Sequence, residues 1–281
     1  MAGFDPRITP ARGDVAARQL EGKVPADRFV DGTLREVVIG QAPLRREPRP
    51  DAPLDTEALY GERVIVYDTY DEGWAWGQLA ADHYVGWLPA RALAPSGAEP
   101  THTVTALRTF VFPGPSIKLP PLEALPLGAR LAIVRVQDRM AVTASGGYVP
   151  LAHLAPADAT ESDFVAVAER FVGVPYLWGG KTALGIDCSG LVQIALNACG
   201  VACPRDSDMQ EAAVGTPLGG GMAQLDRGNL IFWKGHVAIA RGSGSLVHAN
   251  AFHMAVAIEP VAEAIARIRE SGSEVTSVRR L

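Results

Sequence analysis

The sequence predicts an α+β domain preceded by two small all-β barrels in tandem. From Leu34 to Leu93, short strand patterns alternate with Gly, Pro and Asp turns, which is typical of small barrels. A similar plan recurs after the linker at residues 94–100. From Thr160 onwards helical patterns come first and strand patterns follow, which is an α+β order. The predicted domains are an N-terminal arm (1–34), two barrels (35–95 and 101–156) and the α+β domain (158–281).

Composition narrows the class of protein. The chain has 281 residues, a net charge of −5 and no basic stripe, which argues against a nucleic-acid partner. No stretch approaches the length of a membrane span, and three cysteines do not make a disulfide framework. The first residues lack a basic segment followed by an apolar run, so we expect no signal peptide and a cytoplasmic location.

The N-terminal arm is polar and has one short helical pattern, from Asp14 to Leu20. We expect the arm to lie over the first barrel without a core of its own.

The two barrels share an internal repeat that differs at one notable position. Residues 127–133 echo residues 60–66, and residues 148–154 echo residues 86–93. Glu62 of the first copy is replaced by Ala129 in the second. Either Glu62 is a solvated turn residue, or it has a role that is specific to the first barrel.

A cysteine at the start of a predicted helix is the main chemical signal. Apolar residues recur at helical spacing from Leu191, and Gly200 is placed to end the helix in a left-handed conformation. Asp187 or Ser189 can cap its first turn. Cys188 then lies where the helix dipole favours a thiolate, as a nucleophile requires. The alternative is that Cys188 is a small buried residue.

Two histidines follow on neighbouring predicted strands. His236 begins one strand and His248 ends the next, on either side of a Gly-Ser-Gly turn. A cysteine nucleophile needs an imidazole base, and the base needs a third group that orients it. Alternatively, each His is structural, or both bind zinc together with Cys188. The sequence has no close-spaced ligand pair such as Cys-x-x-Cys, so we expect no metal and no cofactor.

Several motifs in order give the chain a family resemblance. Residues 158–281 resemble the NlpC-type, papain-like cysteine peptidases of bacterial cell-wall metabolism, and residues 35–95 resemble bacterial SH3-like domains. The second barrel resembles SH3-like domains only weakly. One departure is Asn229, where the family commonly has Asp. The motifs that carry the peptidase resemblance are PYLWGG (175–180), DCSGL (187–191), PRD (204–206), GHV (235–237) and HA (248–249).

The resemblance implies a fold and a catalytic set. The fold is an α+β papain-like peptidase domain behind SH3-like barrels. The matching positions make Cys188 the nucleophile, His236 the general base and His248 the group that orients it. Tyr176 is expected to line the oxyanion site.

The resemblance also implies a substrate. Relatives of this architecture cleave the γ-D-glutamyl–diamino acid bond of murein peptides, and their SH3-like module binds the free N-terminal amine of L-Ala. The diamino acid is diaminopimelate or Lys. A buried ammonium needs an opposing carboxylate, so Asp187 and Glu62 are the candidates that bind it, and Tyr84 is expected to close the pocket. The other expected substrate-binding residues are Trp178, Ser189, Arg205 and Asp206.

Two other functions stay open at this point. One is a cell-wall peptide- or glycan-binding protein with an inactive peptidase-like domain. The other is an amidase or acyltransferase on the same scaffold.

Overall fold

The computed structural model describes residues 4–219 and 225–281, so the first three residues of the predicted arm lie outside it. The chain divides into two compact units, Met1–Ala159 and Thr160–Leu281. Within the described ranges, no helix is both long and apolar enough to cross a membrane.

The first part of the N-terminal unit is built on a seven-stranded sheet, in the order β5-β4-β8-β7-β6-β3-β9. Its core is aliphatic and includes Val37, Leu44 and Leu88. The strands are β1 (Val15–Ala17), β2 (Arg28–Val30), β3 (Thr33–Val37), β4 (Gln41–Arg45), β5 (Leu54–Leu59), β6 (Arg63–Tyr70), β7 (Trp74–Leu79), β8 (Val85–Pro89) and β9 (Leu93–Pro95).

The predicted helix at residues 14–20 is wrong. Val15–Ala17 forms the strand β1, which pairs in parallel with β2, and only Arg18–Leu20 forms a 3-10 turn. Val15 and Ala17 are buried in a cluster with Trp76 and Trp87 of the sheet. Burial against these rings decides the local conformation, because the helical propensity of so short a segment is weak. The proposed boundary of the arm at residue 34 stays a prediction.

The second part of the N-terminal unit is all-β like the first, but its strands form three separate small sheets. That it is a second SH3-like barrel stays a prediction. Three small sheets have the orders β13-β10-β17, β11-β12 and β14-β15-β16. The internal repeat is confirmed locally, because Gly61 and Gly128 both have positive φ and the 3-10 helices Ala90–Ala92 and Leu151–His153 occupy matching places. The strands are β10 (His102–Val104), β11 (Arg108–Val111), β12 (Glu123–Pro126), β13 (Arg130–Leu131), β14 (Ile133–Gln137), β15 (Met140–Thr143), β16 (Tyr148–Pro150) and β17 (Leu154–Pro156).

The C-terminal unit has helices first and then an antiparallel sheet of order β20-β25-β21-β22-β23-β24, as predicted. Helix α2 packs against β22 and β23, and α4 packs against β24. The elements are α1 (Phe164–Glu169), β18 (Lys181–Thr182), β19 (Gly185–Ile186), α2 (Cys188–Ala198), α3 (Ser207–Ala213), β20 (Thr216–Pro217), β21 (Leu230–Trp233), β22 (His236–Gly242), β23 (Ser245–Asn250), β24 (Ala255–Pro260), α4 (Val261–Glu270) and β25 (Val275–Arg280).

Candidate active site

Cys188 is the first residue of α2, and it is only 7% exposed. The cap of the helix is Asp187, whose Oδ1 accepts the N–H of Gly190 at 2.7 Å. Gly200 follows the helix with φ +75°, as the sequence predicted. The first N–H groups of a helix, which here include that of Cys188, have no acceptor within the helix.

A buried ion pair fixes the cap. Arg205 is 1% exposed, and its two terminal nitrogens lie 3.0 and 2.7 Å from the two carboxylate oxygens of Asp187. The same guanidinium donates to the hydroxyl of Ser189 at 2.8 Å and to the carbonyl of Gly180. Gly179 donates its N–H to Asp187 Oδ2 at 2.8 Å. The cluster therefore ties the glycine-rich segment before the cysteine to the first turn of α2.

The thiol of Cys188 is held in its neutral form. Burial raises the pKa of Cys188 to about 12, and the nearby charge of Asp187 acts in the same direction. The N–H groups of Val237 and Ser189 and the charge of Arg205 oppose that shift. Loss of solvent around the sulfur thus outweighs the N–H groups and the guanidinium that favour the thiolate, in contrast to the lowered pKa that the sequence indicated.

The two histidines form a direct hydrogen-bonded pair. Ile239 pairs with Val247 across the β22–β23 hairpin. His236 precedes Ile239 by three residues and His248 follows Val247 by one, so both rings project from the same face. His236 Nε2 lies 2.9 Å from His248 Nδ1. The register that the sequence left open therefore brings the rings together.

The backbone beside His236 approaches the cysteine. Val237, the residue that follows His236, directs its N–H at the Cys188 sulfur. Because His236 Nε2 is engaged by His248, Nδ1 is the nitrogen that remains for the thiol. Burial lowers the pKa of His236 to about 3, helped by His248 and Arg267 and opposed by Glu259. The resting pair is consequently a neutral thiol and a neutral imidazole.

Tyr176 lies near the same sulfur. Its backbone bridges to Ile186, immediately before the cap, and its N–H donates to the carbonyl of Met254 at 2.9 Å. Burial raises the pKa of the Tyr176 phenol, and the nearby charge of Asp187 adds to the shift. The hydroxyl is therefore a hydrogen-bond donor at neutral pH.

The other predicted substrate-binding residues are placed very differently from one another. Trp178 is 67% exposed, whereas Ser189 and Arg205 are buried in the cap cluster. Asp206 precedes α3 as its N-cap residue. The substrate contacts of all four stay predictions.

Two predicted residues belong to the N-terminal unit. Glu62 follows β5, and its Oε2 accepts the N–H of Leu59 at 2.9 Å. Tyr84 is 4% exposed and packs in the aliphatic core of the first sheet. The roles predicted for Glu62 and Tyr84 stay predictions.

Comparison with known proteins identifies both domain types. Residues 173–271 match the NlpC/P60 family, and residues 44–93 match the bacterial dipeptidyl-peptidase SH3 domain. The chain carries a bacterial SH3 domain, followed along the sequence by an NlpC/P60 peptidase domain. The family resemblance predicted from the motifs is thereby confirmed.

Two curated proteins that are similar over most of the chain have the same description. The chain is 28% identical to the γ-D-glutamyl-L-lysine dipeptidyl-peptidase of Bacillus cereus, over 74% of this chain and 71% of the relative. It is 27% identical to the protein of the same description from Bacillus subtilis, over 82% of each chain. A crystal structure of an NlpC/P60 family protein from Bacillus cereus superposes with a TM-score of 0.75 at 22% identity, covering 88% of this chain and 99% of that one. The predicted fold class is confirmed.

Sequence reasoning missed two residues that complete the polar chain of the NlpC/P60 domain. Glu259 Oε1 lies 2.6 Å from His248 Nε2, and Arg267 donates to the same oxygen. Glu259 is at the end of a strand and Arg267 is on α4, where charged residues are ordinarily solvated. One feature of the sequence could have indicated Glu259: it lies between the histidine hairpin and the helix that follows.

One group in the described part of the chain has the composition of a metal site. Candidate ligand atoms of His248, His253 and Glu259 lie within 4.8 Å of one another. His248 and Glu259 are already bonded to each other, and the Arg267 guanidinium donates to the same carboxylate. A cation at this place would have to displace that guanidinium, so the residues do not fit a resident metal.

Proposed function

We propose that this protein is a cysteine endopeptidase that hydrolyses the γ-D-glutamyl–diaminopimelate, or γ-D-glutamyl–Lys, bond of murein peptides with a free N-terminal L-Ala. The observation that supports this chemistry is the set of contacts that links Cys188, at the start of α2, to the histidine strands. Cys188 lies against Val237, and the adjacent His236 is oriented by His248 at 2.9 Å. This is the nucleophile, base and orienting group that thiol acyl transfer requires.

The first chemical step moves one proton and forms one bond. The Cys188 thiol gives its proton to His236 Nδ1 while the sulfur attacks the γ-carbonyl carbon of the substrate. The transfer starts from two neutral groups, so it adds no net charge to the buried site. The oxyanion that forms is next to the N–H of Cys188 and the hydroxyl of Tyr176, and both groups can donate to it.

The second half of the reaction returns the enzyme to its resting state. The imidazolium of His236 gives its proton to the departing amine of the diamino acid, and a thioester remains on Cys188. Water then attacks the thioester with His236 again as the base. The products are the N-terminal dipeptide and the free diamino acid or shortened peptide.

The substrate assignment is supported by the relatives. Those from both Bacillus species are described as γ-D-glutamyl-L-lysine dipeptidyl-peptidases, and the SH3 match is to the domain of bacterial dipeptidyl-peptidases. A dipeptidyl-peptidase cleaves after the second residue from the N-terminus of its substrate, which requires that the enzyme recognise the N-terminal ammonium group.

The direct test is mass spectrometry of L-Ala-γ-D-Glu-diaminopimelate incubated with the enzyme. We expect L-Ala-D-Glu and free diaminopimelate, with no products from Cys188→Ala. An intact peptide would contradict the endopeptidase assignment. Transfer of the dipeptide to an added amine, without hydrolysis, would favour an acyltransferase instead.

We further propose that Glu62 binds the substrate ammonium. Both carboxylate oxygens of the alternative, Asp187, are already bonded to Arg205, and backbone N–H groups occupy them too. Glu62→Ala should raise KM by roughly 10- to 100-fold, on an estimate of about 1.5–3 kcal/mol for a charged hydrogen bond. The matched control is Glu72→Ala, which removes an exposed carboxylate from the same sheet region. Equal cleavage of free and N-acetylated peptide would show that no carboxylate binds the amine.

We also propose that the enzyme works in the cytoplasm. Support comes from its cysteines, since Cys188, Cys199 and Cys203 are all free thiols. Free thiols persist in reducing compartments. Fractionation of cells that make the protein checks this, and recovery in the medium or periplasm would contradict it.

A further inference from the structure

The ring of His248 is bonded on both sides. Its Nδ1 lies 2.9 Å from His236 Nε2, and its Nε2 lies 2.6 Å from Glu259 Oε1. A carboxylate can only accept, so the hydrogen of His248 is on Nε2. Nδ1 of the neutral ring is then an acceptor, and His236 must donate from its own Nε2. The remaining nitrogen of His236, Nδ1, therefore carries a lone pair and can act as a base.

The fold holds Glu259 in the position that this tautomer chain needs. Leu246 pairs with Glu259 and His248 pairs with Ala257 across the β23–β24 ladder, so the carboxylate is diagonal to the ring on one face. The Glu259 side chain is only 10% exposed. Arg267, on the helix that follows β24, donates to the same oxygen. A salt-bridged carboxylate of low exposure has little freedom to turn away from His248.

Glu259 is ionised despite its burial. Burial by itself raises the pKa of a carboxyl group, but the hydrogen bond from His248 and the charge and hydrogen bond of Arg267 lower the pKa of Glu259 below its usual value. The carboxylate form, which can only accept, is thus the one present at neutral pH.

We propose that Glu259 is a positioning residue of this peptidase, which fixes the tautomers of His248 and His236 so that the base faces Cys188. This inference rests on the proposed function, because it concerns the same cysteine and base. When the Cys188 thiol passes its proton to His236 Nδ1, the positive charge that forms lies one ring away from the Glu259 carboxylate. Glu259 stays ionised throughout and receives no proton.

Several charged groups face the histidine pair, and they act in opposite directions. Glu259 raises the pKa of both imidazoles, and Arg267 lowers the pKa of both. His253, in the turn after β23, lowers the pKa of His248. Removing Glu259 and removing Arg267 should therefore shift the acid limb of the pH profile in opposite directions.

The decisive variants are Glu259→Gln and Glu259→Asp, with Glu263→Gln as the matched control on an exposed position of α4. We expect Glu259→Gln to lower kcat by 10- to 100-fold with KM changed by less than twofold. The acid limb of kcat/KM should move to lower pH in Glu259→Gln and to higher pH in Arg267→Leu. Glu259→Asp, which retains the charge, should recover part of both effects, and Glu263→Gln should match the wild type.

A second measurement makes the inference independent of the substrate. Alkylation of Cys188 by iodoacetamide needs the same proton transfer to His236 but no peptide. We expect Glu259→Gln to slow this reaction at least fivefold at pH 7. A wrong substrate leaves the alkylation result standing, so failure of the proposed function and failure of this inference are distinguishable.

Three results would overturn the inference. One is an unchanged alkylation rate in folded Glu259→Gln protein. Another is a loss of activity in Glu259→Gln that is accompanied by a lowered Tm, is not relieved in Glu259→Asp, and leaves both limbs of the pH profile at their wild-type positions. That result would make Glu259 a structural residue only. The last is inactivation of wild type by EDTA with recovery on added Zn²⁺, which assigns His248, His253 and Glu259 to a metal.

Discussion

Two buried polar clusters in the C-terminal unit differ in how many of their polar atoms are used by hydrogen bonds and ion pairs within the cluster. At the start of α2, the charges of Asp187 and Arg205 neutralise each other, and backbone N–H groups occupy the carboxylate further. On the sheet, His236 donates a hydrogen bond to His248, and His248 donates one to Glu259. The second ring nitrogen of His236, Nδ1, takes no part in this chain of hydrogen bonds. We call the first cluster closed, because its charges are paired with each other. We call the second open, because His236 Nδ1 has no part in the bonds of the chain.

This difference indicates separate roles for the two clusters. Removing one partner of a closed, buried pair leaves an uncompensated charge, which costs folding free energy. Removing a member of the open chain mainly takes away a proton acceptor or its orientation, which costs rate. Variants in the first cluster should lower stability, and variants in the second should lower turnover at nearly constant stability.

The largest effect is expected at the open end of the chain. Cys188→Ala should reduce turnover by several orders of magnitude, as loss of a nucleophile does, while Tm stays close to that of the wild type. Steady-state kinetics and a thermal melt on the same preparation check this. Substantial activity in folded Cys188→Ala would remove Cys188 from the mechanism.

The two histidines should rank unequally. His236→Ala removes the group that we propose takes the thiol proton, so we expect it to be nearly inactive. His248→Asn should keep measurable activity, because an amide can still orient the ring of His236. Comparing kcat for both variants decides the ranking. If His248→Asn is the less active of the two, the base and the orienting residue have been exchanged.

The closed cluster should respond in stability. Arg205→Met leaves the Asp187 carboxylate buried without its cation, and we expect a loss of about 3–5 kcal/mol in the free energy of unfolding. The control is Arg170→Met, which breaks the partly exposed pair with Glu161 and should cost at most about 1 kcal/mol. Urea denaturation measures both. Adding Asp187→Asn to Arg205→Met should recover part of the lost free energy of unfolding. Equal losses in Arg205→Met and Arg170→Met would show that burial of the Asp187–Arg205 pair has no effect on stability.

The smallest expected effect is a pH dependence of stability. The folded pKa of His236, about 3, is below its ordinary value of 6.5. The unfolded chain therefore binds a proton that the folded protein does not, and stability falls as pH drops below 6.5, by up to about 1.4 kcal/mol per pH unit. His236→Asn should lose less stability than the wild type between pH 7 and pH 5, measured by urea denaturation. Parallel losses in the two proteins would mean that His236 is not held neutral by burial.

The sequence determined the order of the elements and most of the reactive groups. Apolar spacing and Gly200 marked α2, with Asp187 or Ser189 as its cap, and the turn at residues 242–244 marked the histidine hairpin. These features depend on neighbours within a few residues, so the local sequence specifies them. The family motifs then gave Cys188, His236 and His248 their expected roles.

Only the tertiary structure decided which polar groups meet. The strand at Val15–Ala17 packs against Trp76 and Trp87, which are distant along the chain, whereas its own sequence indicated a helix. Arg205 is joined to Asp187, and Glu259 to His248, by strand register and helix packing. The raised pKa of Cys188 was likewise decided by the tertiary structure, because burial of the sulfur is its largest cause.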